Sequence, residues 1–96
     1  MNNLSEIKKK LKLLKPVLES KYYITELGLF GSVARNDFTA DSDIDILVDF
    51  SQPVGIEFIN LADELELTLK RKVDLVSKKG IKAPYLDSIQ SEIIYV

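Results

Sequence analysis

The stretch Leu29-Phe30-Gly31-Ser32-Val33-Ala34-Arg35-Asn36-Asp37-Phe38-Thr39-Ala40-Asp41-Ser42-Asp43-Ile44-Asp45-Ile46-Leu47-Val48 decides how the chain is read. It starts as an apolar strand that stops at Gly31-Ser32, crosses a polar turn, and re-enters a strand opening on two acids in alternate positions. Period-two alternation places Asp43, Asp45 and Leu47 on one face of the second strand, with Ile44, Ile46, Val48 and Phe50 on the other. Adjacent carboxylates repel, and one keeps its proton unless a cation intervenes. An all-oxygen pair suits Mg²⁺ or Mn²⁺ better than zinc. Gly31 and Ser32 offer backbone N–H groups and a hydroxyl to phosphate oxygens, and Arg35, one turn on, can add charge-assisted contacts. Taken singly these patterns are weak, because acidic strand ends are commonly just solvated and Gly-Ser is often a plain turn. Asp45, however, precedes Ile46-Leu47-Val48 and falls where a strand is already half buried, an expensive place for an unpaired charge.

On the N-terminal side, Leu4, Ile7, Leu11, Leu14 and Leu18 recur at helical spacing, with Lys8, Lys9, Lys10, Lys12 and Lys15 on the other faces. Pro16 is expected to kink or split this helix. Tyr22 to Ile24 leads into a first strand over residues 26–30. Residues 33–36 make about one helical turn, closed by an Asn36-Asp37 turn in which Asn tolerates the left-handed region.

On the C-terminal side, Ser51 and Pro53 read as the start of a helix over residues 54–70. Its apolar face is Val54, Phe58, Leu61, Ala62, Leu65 and Leu69, while Ile56 and Ile59 lie well round from it. Residues 72–76 form a third strand, with Val73 and Leu75 on one face and Asp74 and Val76 on the other. A last helix over residues 84–93 runs into the apolar tail Ile93-Ile94-Tyr95-Val96. The order α-β-α-β-α-β-α predicts an α/β fold, a small mixed β-sheet with helices packed on it, in one domain spanning residues 1–96.

Composition narrows the chemistry. The chain has no Cys and no His, so disulfides, thiolate metal sites and the usual general base are all excluded. Catalysis must rest on carboxylates, hydroxyls, Lys, Arg or a hard cation. The net charge of −2 conceals segregation: residues 37–66 hold nine acids and no base, while all 13 Lys and Arg lie outside. Without basic-aromatic interleaving the chain is a poor candidate for direct nucleic-acid binding. No run approaches a membrane span and the N-terminus lacks a signal-peptide pattern, so a cytoplasmic location is expected.

Gly31-Ser32, ten residues, then Asp43-Ile44-Asp45 resembles the Gly-Ser-x₁₀-Asp-x-Asp signature of the polymerase-beta-like nucleotidyltransferase superfamily. Asp74, within Val73-Asp74-Leu75-Val76, stands where that superfamily places a third carboxylate. The flanking residues resemble the minimal nucleotidyltransferase (MNT) subfamily along nearly the whole chain, with Asn36 where Gly is usual. The resemblance implies transfer of AMP from ATP to an acceptor hydroxyl. Asp43, Asp45 and Asp74 would be the metal-binding and catalytic residues with two Mg²⁺; Gly31, Ser32 and Arg35 would bind the nucleotide triphosphate.

Proteins of this kind are commonly encoded beside a helical HEPN-domain ribonuclease toxin and act as its antitoxin by modifying a tyrosine, which implies a hetero-oligomer. A non-catalytic, steric antitoxin and the catalytic subunit of a small-molecule transferase remain as alternatives. The chain has no room for an acceptor-binding domain, so Ile56, Ile59 and the tail are candidate docking positions. Asp37, Asp41 and Asp49 are expected to be surface charges.

Overall fold

The computed structural model describes residues 4–96. The elements are α1 (Leu4–Tyr22), β1 (Ile24–Phe30), α2 (Ser32–Arg35), β2 (Ile44–Phe50), α3 (Ile56–Leu69), β3 (Val73–Ser77), α4 (Ala83–Ile89) and β4 (Ile94–Tyr95). Two 3₁₀ turns, Lys78–Gly80 and Gln90–Glu92, follow β3 and α4. The sheet order is β3-β2-β1-β4. β2 lies antiparallel to β1 and parallel to β3, and β4 lies antiparallel to β1. The sheet is therefore mixed, as the sequence predicts.

One face of the sheet carries the larger core. Ile7, Leu11 and Leu18 from α1 and Leu61, Leu65 and Leu69 from α3 pack on Leu27, Leu29, Ile44, Ile46 and Val48. Burying an apolar side chain of this size contributes about 1.5–3 kcal/mol, so this cluster supplies most of the fold's stabilisation. The opposite face is covered more thinly. There Phe30, Leu47 and Ile89 form a second cluster, with Val76, Ile81, Leu86 and Ile93 against it. The alternation of β2 is thus realised, with its isoleucines under α1 and α3 and the Asp45–Leu47 face on the side of α4.

Several boundaries differ from the sequence reading. Pro16 sits inside α1 without splitting it. Pro16 and Lys12 are both exposed, so the carbonyl deprived of its helical donor is open to water. β1 starts at Ile24, directly after Tyr23 turns the chain at φ 59°. Asp43 lies just before β2, and β3 is Val73–Ser77.

α3 begins at Ile56 and does not use Ser51 as its cap. The Ser51 hydroxyl donates to the Tyr23 carbonyl, and Glu57 folds back to accept the Gly55 N–H at 2.8 Å. α4 ends at Ile89, because the tail leaves it to form β4, a strand absent from the sequence reading. The tail is consequently structural: Ile93, Ile94 and Val96 are half-buried, and the Val96 N–H donates to the Leu27 carbonyl at 2.9 Å. Ile56 and Ile59 are exposed, at 62% and 56% of their full surface. Among the described residues, no helix is long and apolar enough to cross a membrane.

Candidate active site

The topology gathers the candidate residues at one end of the sheet. β1 runs toward this end and stops at Phe30, while β2 and β3 start from it. Phe30 pairs with Asp45, and Asp45 pairs with Asp74, so these residues form a row across neighbouring strands on one face. The sequence brought Asp43 and Asp45 together; the parallel register adds Asp74.

Asp45 is half-buried, and its carboxyl pKa is pushed up to about 6. Burial is the main cause, followed by the negative charges of Asp74 and then Asp43, and a side-chain hydrogen bond to Asp74 also contributes. Arg35 opposes the rise weakly. Asp43 and Asp74 are both exposed at the rim. Among the described residues no three acids are drawn together closely enough to make a closed metal cage. A hard divalent cation fits this donor set: the ligands are all oxygen, and a cation would favour the charged form of Asp45 that burial and its neighbours now oppose.

Gly31 shapes the floor beside these acids. It has φ 73°, a conformation side chains rarely adopt, and a Cβ built there would run into the Asp45 carboxylate. Gly31 is therefore required twice, by its backbone and by Asp45. From it springs the single turn α2, whose Ala34 and Arg35 N–H groups both donate to the Gly31 carbonyl at 3.1 Å. Ser32 opens the turn and is half-exposed. Asn36 closes it at φ 63°, its N–H returning to the Ser32 carbonyl. Asn36 thus takes the left-handed conformation that its residue type tolerates.

The structure places Arg35 beside acids of the chain itself. Its guanidinium meets both carboxylate oxygens of Glu92 at 3.4 Å and Asp37 at 3.5 Å. Glu92 also accepts the Gly31 N–H at 3.1 Å. Asp37 is exposed, in keeping with a surface charge, and Asp49 is half-buried, pairing with Lys79 at 3.8 Å.

Two residues that organise the site escaped the sequence reading. One is Glu92, which reaches Gly31 across 61 positions of sequence. The other is Arg71, which donates to the carbonyls of Thr39, Ala40 and Ser42 at 3.0, 3.1 and 2.6 Å. The same guanidinium lies 4.4 Å over the Phe38 ring. Arg71 thereby ties down the loop that delivers Asp43, and the Ile44 N–H bonds the Lys72 carbonyl at 2.9 Å alongside it. A run of basic residues just before β3 was the available signal, but it does not say which carbonyls are within reach.

A carboxylate row thus faces a glycine turn, the arrangement that the nucleotidyltransferase resemblance implies, and comparison with known proteins gives the family. The nucleotidyltransferase domain family matches residues 5–96, and the chain belongs to that family. It is 45% identical to a Methanocaldococcus jannaschii protein provisionally named a protein adenylyltransferase, over the full length of both. It is 39% identical to the protein adenylyltransferase MntA of Thermococcus cleftensis, over 100% of this chain and 98% of that one. Among solved structures, one described provisionally as a minimal nucleotidyltransferase superposes with a TM-score of 0.84 at 26% identity, covering 97% of this chain and 95% of the other. The fold is also that of an MNT antitoxin solved with a tri-AMPylated HEPN toxin from Shewanella oneidensis. That likeness has a TM-score of 0.69 at 21% identity, over 93% of this chain and 70% of the other.

Proposed function

We propose that this nucleotidyltransferase moves AMP from ATP to a tyrosine hydroxyl of a HEPN-type ribonuclease partner and so acts as its antitoxin. The observation that carries the reading is Asp45, half-buried between the charges of Asp43 and Asp74 and packed over Gly31. A structural aspartate gains nothing from that position; a metal ligand does. The names of the adenylyltransferase relatives and the AMPylated toxin in the neighbouring structure support the acceptor class.

In this mechanism Asp43, Asp45 and Asp74 would hold Mg²⁺, with two ions expected in the full complex. When bound, the metal would neutralise charge on the phosphates and on the attacking oxygen. The chain's own part is largely positioning. Gly31, Ser32 and Arg35 grip the triphosphate and leave the α-phosphorus facing the carboxylate rim. The acceptor hydroxyl gives its proton to the Asp74 carboxylate as its oxygen bonds to the α-phosphorus. The bond from that phosphorus to the β-phosphate breaks, and pyrophosphate leaves. The absence of His is no obstacle, because carboxylates supply both the charge and the proton acceptor.

The test is incubation with Mg²⁺, α-labelled ATP and the co-purifying partner, beside an Asp43→Asn/Asp45→Asn double variant. Label should pass to the partner with the wild type and fall by about 10²–10³-fold or more in the variant, the scale of losing one preorganised electrostatic group. Neutralisation of the partner without label, undiminished in the variant, would replace this reading with steric inhibition.

A further inference from the structure

Glu92 lies in the 3₁₀ turn between α4 and β4 and carries a second message about the site. β4 pairs with β1 at Gly28–Tyr95 and Leu29–Ile94, which brings the residues before it to the end of β1. Glu92 therefore arrives at Gly31 because of strand pairing, with its side chain only 24% exposed. Its carboxylate accepts the Gly31 N–H at 3.1 Å, and both of its oxygens accept from the single Arg35 Nη1 at 3.4 Å. A planar anion with two oxygens thus sits between one backbone donor and one guanidinium nitrogen. Those are two of the groups that the proposed function assigns to the triphosphate. One carboxylate and one phosphate cannot both have them.

We propose that Glu92 is an internal stand-in for a nucleotide phosphate: its carboxylate closes the Gly31–Arg35 cradle and is displaced when a polyphosphate binds. The proposal rests on the phosphate role given to Gly31 and Arg35 above and adds a control on that site. The geometry suits a replaceable occupant. The two Arg35 contacts, at 3.4 Å, lie beyond the 2.7–2.9 Å typical of a strong charge-assisted pair, and Arg35 is half-exposed to water. A phosphate oxygen can close in further and brings more charge. Until then Glu92 keeps Arg35 near Gly31 and balances its charge. The cost is affinity, since a latch closed nine-tenths of the time weakens apparent binding about tenfold.

The test uses the full-length protein, calorimetric titration with Mg²⁺–AMP-PNP and with inorganic tripolyphosphate, and the variants Glu92→Gln and Arg35→Gln. Glu92→Gln keeps the shape and removes the charge, so both ligands should bind about tenfold more tightly. In the double variant that gain should shrink, because Arg35 is the group being contested. Weaker or unchanged binding in Glu92→Gln would overturn the proposal and make Glu92 a positioning residue for Arg35.

A second readout does not depend on how the variant folds. In the wild type, the ¹³C resonance of the Glu92 carboxyl should move as tripolyphosphate saturates the protein; a resonance that stays put while ligand binds also overturns the idea. The underlying site reading fails differently, with neither wild type nor Glu92→Gln binding either ligand. Binding that is intact but not tightened by Glu92→Gln removes the stand-in alone.

Discussion

At the scale of single residues, Asp45 and Gly31 have to be considered as one object, since the space that a side chain at 31 would need is filled by the carboxylate of 45. Gly31→Ala should therefore cost stability both through its positive φ and through displacement of Asp45. Together these amount to about 1–3 kcal/mol, read as a lower melting temperature.

The proton on Asp45 gives a second test. Its pKa rises from 3.8 to about 6 on folding, so between those values the folded chain binds more protons than the unfolded one. The resulting stabilisation is complete below about pH 4 and is lost as pH rises through about 6. In metal-free buffer, chemical denaturation across this window should show Asp45→Asn losing less stability with rising pH than the wild type. Mg²⁺ should reverse the trend, because its binding displaces that proton and strengthens with pH. A wild-type carboxyl resonance for Asp45 titrating near 4 would contradict this.

At the scale of elements, the Asp43 loop is held by a residue outside it. Arg71 closes three carbonyls of residues 39–42 with one guanidinium nitrogen. Arg71→Ala should release the loop, seen as faster proteolysis between residues 37 and 43. Mg²⁺–nucleotide affinity should fall about 10–100-fold, the range for losing a group that orients metal ligands. Arg71→Lys should restore little, since one ammonium lacks the planar fork that lies over Phe38 while reaching the carbonyls.

The same scale shows what a sequence can and cannot disclose. Asp43, Asp45 and Leu47 shared a face on periodicity alone, and the Asn36 turn was readable from its residue type; both features are local. β4 was not legible, because two residues carry no period and its pairing is chosen by the Gly28 edge of β1, where an added Cβ would meet Ile93 at 2.8 Å. Glu92 went unread for the same reason, its position being a consequence of β4. The start of α3 was misplaced because Ser51, a good cap by type, spends its hydroxyl on Tyr23.

For the whole molecule, the two faces of the sheet divide the work. α1 and α3 bury the larger cluster on the face turned away from the carboxylate row, so stability and site chemistry are separated by the thickness of one sheet. Leu65, fully buried in that cluster, is a suitable probe. Leu65→Ala should cost about 2–5 kcal/mol, a large share of the roughly 5–15 kcal/mol available to a domain, and lower the denaturant midpoint accordingly. Below its melting transition the variant should still show the raised Asp45 pKa, since the burial of Asp45 on the opposite face, which is its main cause, and the charges of Asp74 and Asp43 do not depend on that core. A core variant that lost the Asp45 shift while folded would mean the two faces are not independent.

The pairing of Asp45 with Asp74 across parallel strands has one more consequence. Successive residues of a strand point to opposite faces, so a slip of β3 by one position would set Val73 or Leu75 beside Asp45 and turn Asp74 to the other face. The sheet would still close, and by circular dichroism it would pass for folded. Its electrical signature would weaken, because the Asp45 carboxyl would keep its burial and the Asp43 charge but lose the charge and hydrogen bond of Asp74. The titration of one side chain therefore audits the alignment of two strands, and it separates molecules assembled in register from those that are merely compact.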